Sequence, residues 1–212
     1  MLRLALDINV FVAQILSRQN RMPATACAQL VGWAADGVSP AGPTQLVISV
    51  PMLENFAHVL KRAFGYSAVD AQARADLLGA YASEGPIPVP PFIAVAMGYV
   101  PFETEEEMRR SIENFATKGQ IADKLFHETQ DDRYVLETAI AGQADILVTL
   151  NLQDFARGDI IRFERDDMFV FPFAGKDLVV SKPAFAAHWI ARGIVPDAKF
   201  VRDNPAEFRV RS

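Results

Sequence analysis

The chain has 212 residues, half of them apolar, and its 21 basic and 26 acidic side chains give a net charge of −5. That suits one domain with a substantial core and argues against a broadly basic nucleic-acid surface, leaving room for a local one. No apolar stretch approaches the roughly 20 residues of a membrane span and the N-terminus carries no secretory pattern, so a cytoplasmic protein without membrane contact is expected.

The first predicted element is the strand "LRLAL" at 2–6, and Asp7 and Asn9 follow it inside the otherwise apolar run "LALDINVFVAQIL". Cys27, the single cysteine, excludes an intrachain disulfide, and "PATACAQL" reads as a setting for a buried small side chain. A second doubly buried strand is expected at 45–49. In "PMLENFAHVLKRAFG", Leu53, Phe56, Ala57, Leu60 and Phe64 line one helix face, Pro51 suits the first turn and Gly65 the end. "SAVDAQARADLLGAYASEG" and "DDRYVLETAIAGQ" also read as helices. Between them, "PIPVPPFIAVAMGYVPF" holds too much proline for a central strand, and residues 97–126, with a Thr104/Glu107 capping box, read as an inserted helical element. Strands are expected at 145–149 and near 177–180, with a hairpin in "DIIRFERDDMFVFPF". Residues 193–212, rich in charge and poor in core candidates, read as a C-terminal tail or an arm on a partner.

Short apolar strands alternating with amphipathic helices predict an α/β fold, a three-layer α/β/α sandwich around a mostly parallel sheet of about five strands. Residues 1–192 would form a single domain. In such a sheet ligands bind beyond the carboxyl ends of the strands, where strand order reverses. Asp7 follows the first strand, so it can either cap the next helix or face a ligand. Glu54 lies on the flank of its helix, within the first turn after the second strand, where the helix dipole alone would also favour it. Asp132 shares a helix face with Val135, Leu136 and Ala139 and points inward. Thr149 ends a third strand, and Asn151 and Asp154 lie just beyond it, Asp154 also being a plausible turn residue. Four acidic positions gathered at strand ends repel one another and need cations, and oxygen-only ligands select Mg²⁺ or Mn²⁺. Such a site can activate water and neutralise charge developing on a phosphodiester.

The order "LDINVFV", "VPMLENFAHVL", "DDRYVLETAIAGQADILVTLNLQDF" resembles the PIN-domain ribonucleases, particularly the bacterial group that includes the VapC-type toxins of toxin–antitoxin pairs. The resemblance covers residues 2–65 and 127–155. It implies that Asp7, Glu54 and Asp132 are metal-binding carboxylates and that Asn9 and Thr149 support them by hydrogen bonding. Where many members have a fourth acid this chain has Asn151, a weaker ligand, so that role falls to Asn151, to Asp154 or to water. The insertion at 97–126 and the long segment 156–176 exceed the compact toxin pattern.

Arg18, Arg21, Lys61, Arg62, Arg133 and Arg157 are the basic residues available to an RNA backbone; Lys61, on the flank shared with Glu54 and His58, is expected nearest the site. His58, His127 and His188 have no recognisable Ser or Cys partner, and no glycine-rich nucleotide loop is present. The expected activity is metal-dependent endonucleolytic cleavage of single-stranded RNA, as the toxin of a pair, with an antitoxin and a homodimer as the partners the resemblance implies. Two alternatives remain: a weakly active scaffold that binds RNA or a protein, and a phosphatase, which would require a second aspartate near Ile8 and Asn9.

Overall fold

A computed structural model describes residues 1–22, 24–88, 91–95, 98–100, 133–156, 160–173 and 175–209, without the side chains of 93–100 and 133. Strand β1 (Leu2–Leu6) lies inside a seven-stranded sheet, third in the order β2-β3-β1-β6-β9-β8-β7. Its parallel neighbours are β3 (Gly42–Val47) and β6 (Ile146–Val148), and β6 in turn pairs in parallel with β9 (Leu178–Ser181). These four are the doubly buried strands that continuous Val, Ile and Leu runs dictate; Leu2, Leu4, Leu6, Ile146, Leu147, Val148, Val179 and Val180 are all fully buried.

Short antiparallel strands close both edges: β2 (Val38–Ser39) against β3, and β7 (Ile161–Arg162) and β8 (Met168–Phe171) beside β9. The hairpin expected around the acidic turn is therefore β7–β8, and it joins the main sheet. Strand β3 begins three residues before the expected 45–49 and ends at Val47, because Gly42 and Pro43 pair with Ser39 and Val38 at the sheet edge, where proline is tolerated. A separate pair, β4 (Ile93–Val95) and β5 (Gly98–Val100), is antiparallel. Residues 98–100 of the expected helical insertion are thus strand; 101–126, with Thr104 and Glu107, lie outside the described residues.

Helices fill the crossovers: α1 (Ile8–Gln19), α2 (Ala26–Asp36), α3 (Val50–Phe64), α4 (Ala68–Glu84), α5 (Arg133–Ala141), α6 (Leu152–Phe155), α7 (Pro183–Ala191) and α8 (Ala198–Asp203). Helix α2 packs on α1 and α7, and α3 packs on α4, giving the α/β sandwich. Helix α3 has Pro51 in its first turn and ends at Gly65, whose φ of 68° is the left-handed conformation glycine adopts without strain. Gly142, just past α5, serves close approach: a Cβ there would run into the Val47 side chain of β3.

The C-terminal stretch is not a solvated tail. Asp197 caps α8 through the Phe200 amide at 2.8 Å, and Val201 and Phe208 are buried. Phe208 packs against Phe163, Phe185, Trp189 and Phe200 with ring centroids 5.8–6.2 Å apart. A cluster of five aromatic rings offers this chain's own body as the partner that the charged sequence pattern concealed. Among the described residues, no helix is long and apolar enough to cross a membrane.

Candidate active site

The chain leaves β1 towards β3 on one side and later builds β6 and β9 on the other, so strand order reverses at the carboxyl ends of β1 and β6. Asp7 follows β1 at that point, and Thr149 follows β6. Asp7 sits at the N-cap position of α1, yet its side chain makes no capping hydrogen bond. Its Oδ2 instead accepts from Thr149 Oγ1 at 2.7 Å and from Asn9 Nδ2 at 2.6 Å. Asn9 also reaches Thr149 Oγ1 at 3.1 Å and accepts the Leu150 amide at 3.1 Å, and Thr149 Oγ1 accepts the Asn151 amide at 3.0 Å. Three polar side chains thus tie the ends of two parallel strands into one unit.

Asp7 is only 4 % exposed. Burial pushes its carboxyl above the ordinary range, while the Thr149 hydroxyl and then the Ile8 and Asn9 amides and Asn9 side chain pull it back down. The two side-chain donors converge on Oδ2, and Oδ1 takes no side-chain hydrogen bond among the described residues.

Glu54 stands on α3, which follows β3 at the same edge of the sheet. It is the fifth residue of the helix, beyond the first turn where it was expected, because α3 starts at Val50. Phe11 of α1 and Phe56 of α3 pack at 5.9 Å and hold the two helices together. The Glu54 carboxylate is half-buried, has no hydrogen-bonding or ionic partner among the described residues, and is raised by burial alone. Asp132 lies outside the described residues, immediately before Arg133, where α5 begins.

Two hydrogen bonds that the sequence does not announce couple α5 to the rest of the site. Asn55 Nδ2 donates to Tyr134 Oη at 2.5 Å, next to Glu54, and the buried Ser49 and Thr138 hydroxyls meet at 2.7 Å. Their only sequence signal is helix spacing, which places Asn55 and Tyr134 on flanks rather than apolar faces.

Beyond β6, Asn151 is exposed and directs its amide to the carboxylate of Asp154 in the single turn of α6. Lys61 and Arg62 are exposed in the last turn of α3, Lys61 about 10 Å further along the helix from the end of β3 than Glu54. Arg18, Arg21, His58 and His188 are exposed; the Arg133 side chain, Arg157 and His127 lie outside the described residues.

A family model for the PIN domain matches residues 3–153, from β1 through the start of α6. The chain belongs to the PIN-domain family. No curated protein and no solved structure matches it. PIN domains are nucleases that act on nucleic acid, typically with divalent metals, and the matched span contains Asp7, Asn9, Glu54, Asp132, Thr149 and Asn151. The donor chemistry fits such a metal: among the described residues, the PIN fold brings two desolvated carboxylates to one sheet edge with no cationic side chain paired to either. Burial then favours their protonation unless a cation compensates. No group of three or more His, Cys, Asp or Glu residues stands together among the described residues, Asp132 being outside them.

Proposed function

We propose that this PIN domain is a metal-dependent endoribonuclease that cleaves single-stranded RNA, with Asp7, Glu54 and Asp132 holding Mg²⁺ or Mn²⁺ and Asn151 or Asp154 completing the shell. The observation that carries the reading is the buried Asp7 carboxylate, held by Thr149 and Asn9 where strand order reverses. A hard divalent ion there would supply water activation and compensation of charge on the scissile phosphate. The chain's own residues do the orienting: Thr149 and Asn9 fix the Asp7 carboxylate through Oδ2, and the Phe11–Phe56 contact holds α3, and with it Glu54, against α1. An exposed Leu150 beside Asn9 offers apolar surface to a base or ribose.

The test is cleavage of end-labelled single-stranded RNA. Activity is expected with Mn²⁺ or Mg²⁺, not with EDTA, and Asp7→Asn and Asp132→Asn should each abolish it. Unchanged metal-dependent cleavage in either variant would sink the assignment.

One observation favours a second reading, a PIN scaffold with little activity that binds RNA or a protein: Asn151 commits its amide to Asp154 instead of supplying a fourth carboxylate. Asn151→Asp separates the two, since increased cleavage would show that the asparagine weakens the site. The toxin role rests on the VapC-like order of motifs. It predicts growth arrest on expression, relieved by a co-expressed partner that covers the acidic cleft.

A further inference from the structure

Parallel registry carries the site one strand beyond Thr149. Leu6 pairs with Val148 and Val148 with Ser181, and the Asp7 amide donates to Val148 O at 2.9 Å as the Thr149 amide donates to Ser181 O at 3.0 Å. The next position in this row after Asp7 and Thr149 is Lys182. Neighbouring strands lie about 4.8 Å apart, so Lys182 stands about 10 Å from Asp7 along the same edge. Its amide donates to Asp167 O at 2.8 Å, which ties the end of β9 to the start of β8.

Several cations on this half of the molecule are engaged, whereas Lys199 and Arg209, like Lys182, have no side-chain partner among the described residues but lie outside the row of Asp7 and Thr149. Arg165 is paired with Asp167 at 2.9 Å, Lys176 with Asp145 at 2.7 Å, and Arg202 with Asp177; Arg162 donates to Ala156 O at 3.0 Å. Lys182 is exposed and has no side-chain partner among the described residues. In the adjoining turn, Asp167 Oδ2 is paired with Arg165, and no ion pair joins Lys182 to Glu164, Asp166 or Asp167 among the described residues. Lys182 also lies beyond the span matched by the family model, so membership of the family does not assign it.

We propose that Lys182 binds a backbone phosphate of the RNA next to the one positioned at Asp7, so that the strand crosses the sheet edge from β1 over β6 to β9. This rests on the nuclease reading above. A lysine on a flexible four-carbon stem acts as a point charge for phosphate and reads no base, so the contact orients the strand without specifying sequence.

The experiment measures binding of labelled oligouridylate and oligoadenylate by anisotropy across a salt series, using the full chain with Asp7→Asn to prevent cleavage. Adding Lys182→Ala should weaken both oligonucleotides equally, by roughly three- to tenfold near 0.1 M salt, and reduce the slope of log K against log salt by about 0.7, one phosphate contact to a single strand. Lys182→Arg should retain the slope, and Mn²⁺ binding by Lys182→Ala in the otherwise unsubstituted chain should be unchanged. An unaltered slope, or a loss confined to one oligonucleotide, overturns the phosphate contact while leaving the nuclease reading standing if the unsubstituted chain cleaves RNA. If that chain neither binds nor cleaves RNA, both fall together.

Discussion

Thr149→Val removes one hydroxyl from the point where β1 and β6 are joined, and its cost can be built from the contacts. Thr149 is fully buried, so valine preserves shape and apolar packing. The hydroxyl donates to Asp7 Oδ2 and accepts from Asn9 Nδ2 and the Asn151 amide. Loss of the bond to the carboxylate costs about 1.5–3 kcal/mol. Asn9 keeps its 2.6 Å bond to Asp7, and the amide of exposed Asn151 turns to water, so these add at most about 1 kcal/mol. The total, about 1.5–4 kcal/mol, lowers the melting temperature by roughly 3–16 °C in a chain of this size. The pH dependence has a definite sign. Removing a donor that lowers the Asp7 pKa raises it further in the folded state, and a raised carboxyl pKa costs stability as pH climbs through it. The penalty should therefore be smallest where Asp7 is protonated in both proteins and larger where it is ionised. Denaturant melts in EDTA between pH 5 and about pH 8 measure it. A difference below about 0.5 kcal/mol at pH 7, or a penalty that shrinks as pH rises, would refute the strand-joining role of this bond.

Three further outcomes follow from the same contacts. Asp7→Asn should raise the melting temperature in EDTA at pH 7, because it relieves a buried charge whose pKa is elevated, and should remove any stabilisation by Mn²⁺; differential scanning fluorimetry reads both. Gly142→Ala should cost about 1–3 kcal/mol in denaturant melts, since its Cβ meets Val47 and must push α5 off β3. Phe208→Ala, which empties the centre of the C-terminal aromatic cluster, should cost about 3–5 kcal/mol, whereas a solvated tail would tolerate it unchanged.

What was legible in the sequence followed from local patterns. Strands β1, β6 and β9 are short apolar runs bounded by polar residues, and α3 has a periodic face, Pro51 and Gly65 to mark it. Asp7 is visible as a polar residue where a strand must end; local pattern leaves it between cap and ligand, and only the PIN-like order of motifs points to the ligand. The choice between those readings depends on Thr149, 142 positions away in sequence, whose hydroxyl takes the carboxylate that a cap would have turned to the helix. The C-terminal segment was misread for a related reason: Phe200, Val201 and Phe208 follow no local period among their charged neighbours, and only contact with Phe163, Phe185 and Trp189 buries them. Lys182 went unnoticed because strand registry, not spacing, brings it into the row of Asp7 and Thr149.

The central claim is that the edge between β1 and β6 binds a divalent cation through carboxylates. Its most direct test is a crystal grown with Mn²⁺ and measured for anomalous scattering. The account predicts a peak within coordination distance, about 2.0–2.3 Å, of an Asp7 carboxylate oxygen, with Glu54 and Asp132 as further ligands, and no peak in crystals of Asp7→Asn. Manganese bound elsewhere with this edge empty, or a peak that persists unchanged in Asp7→Asn, would contradict it.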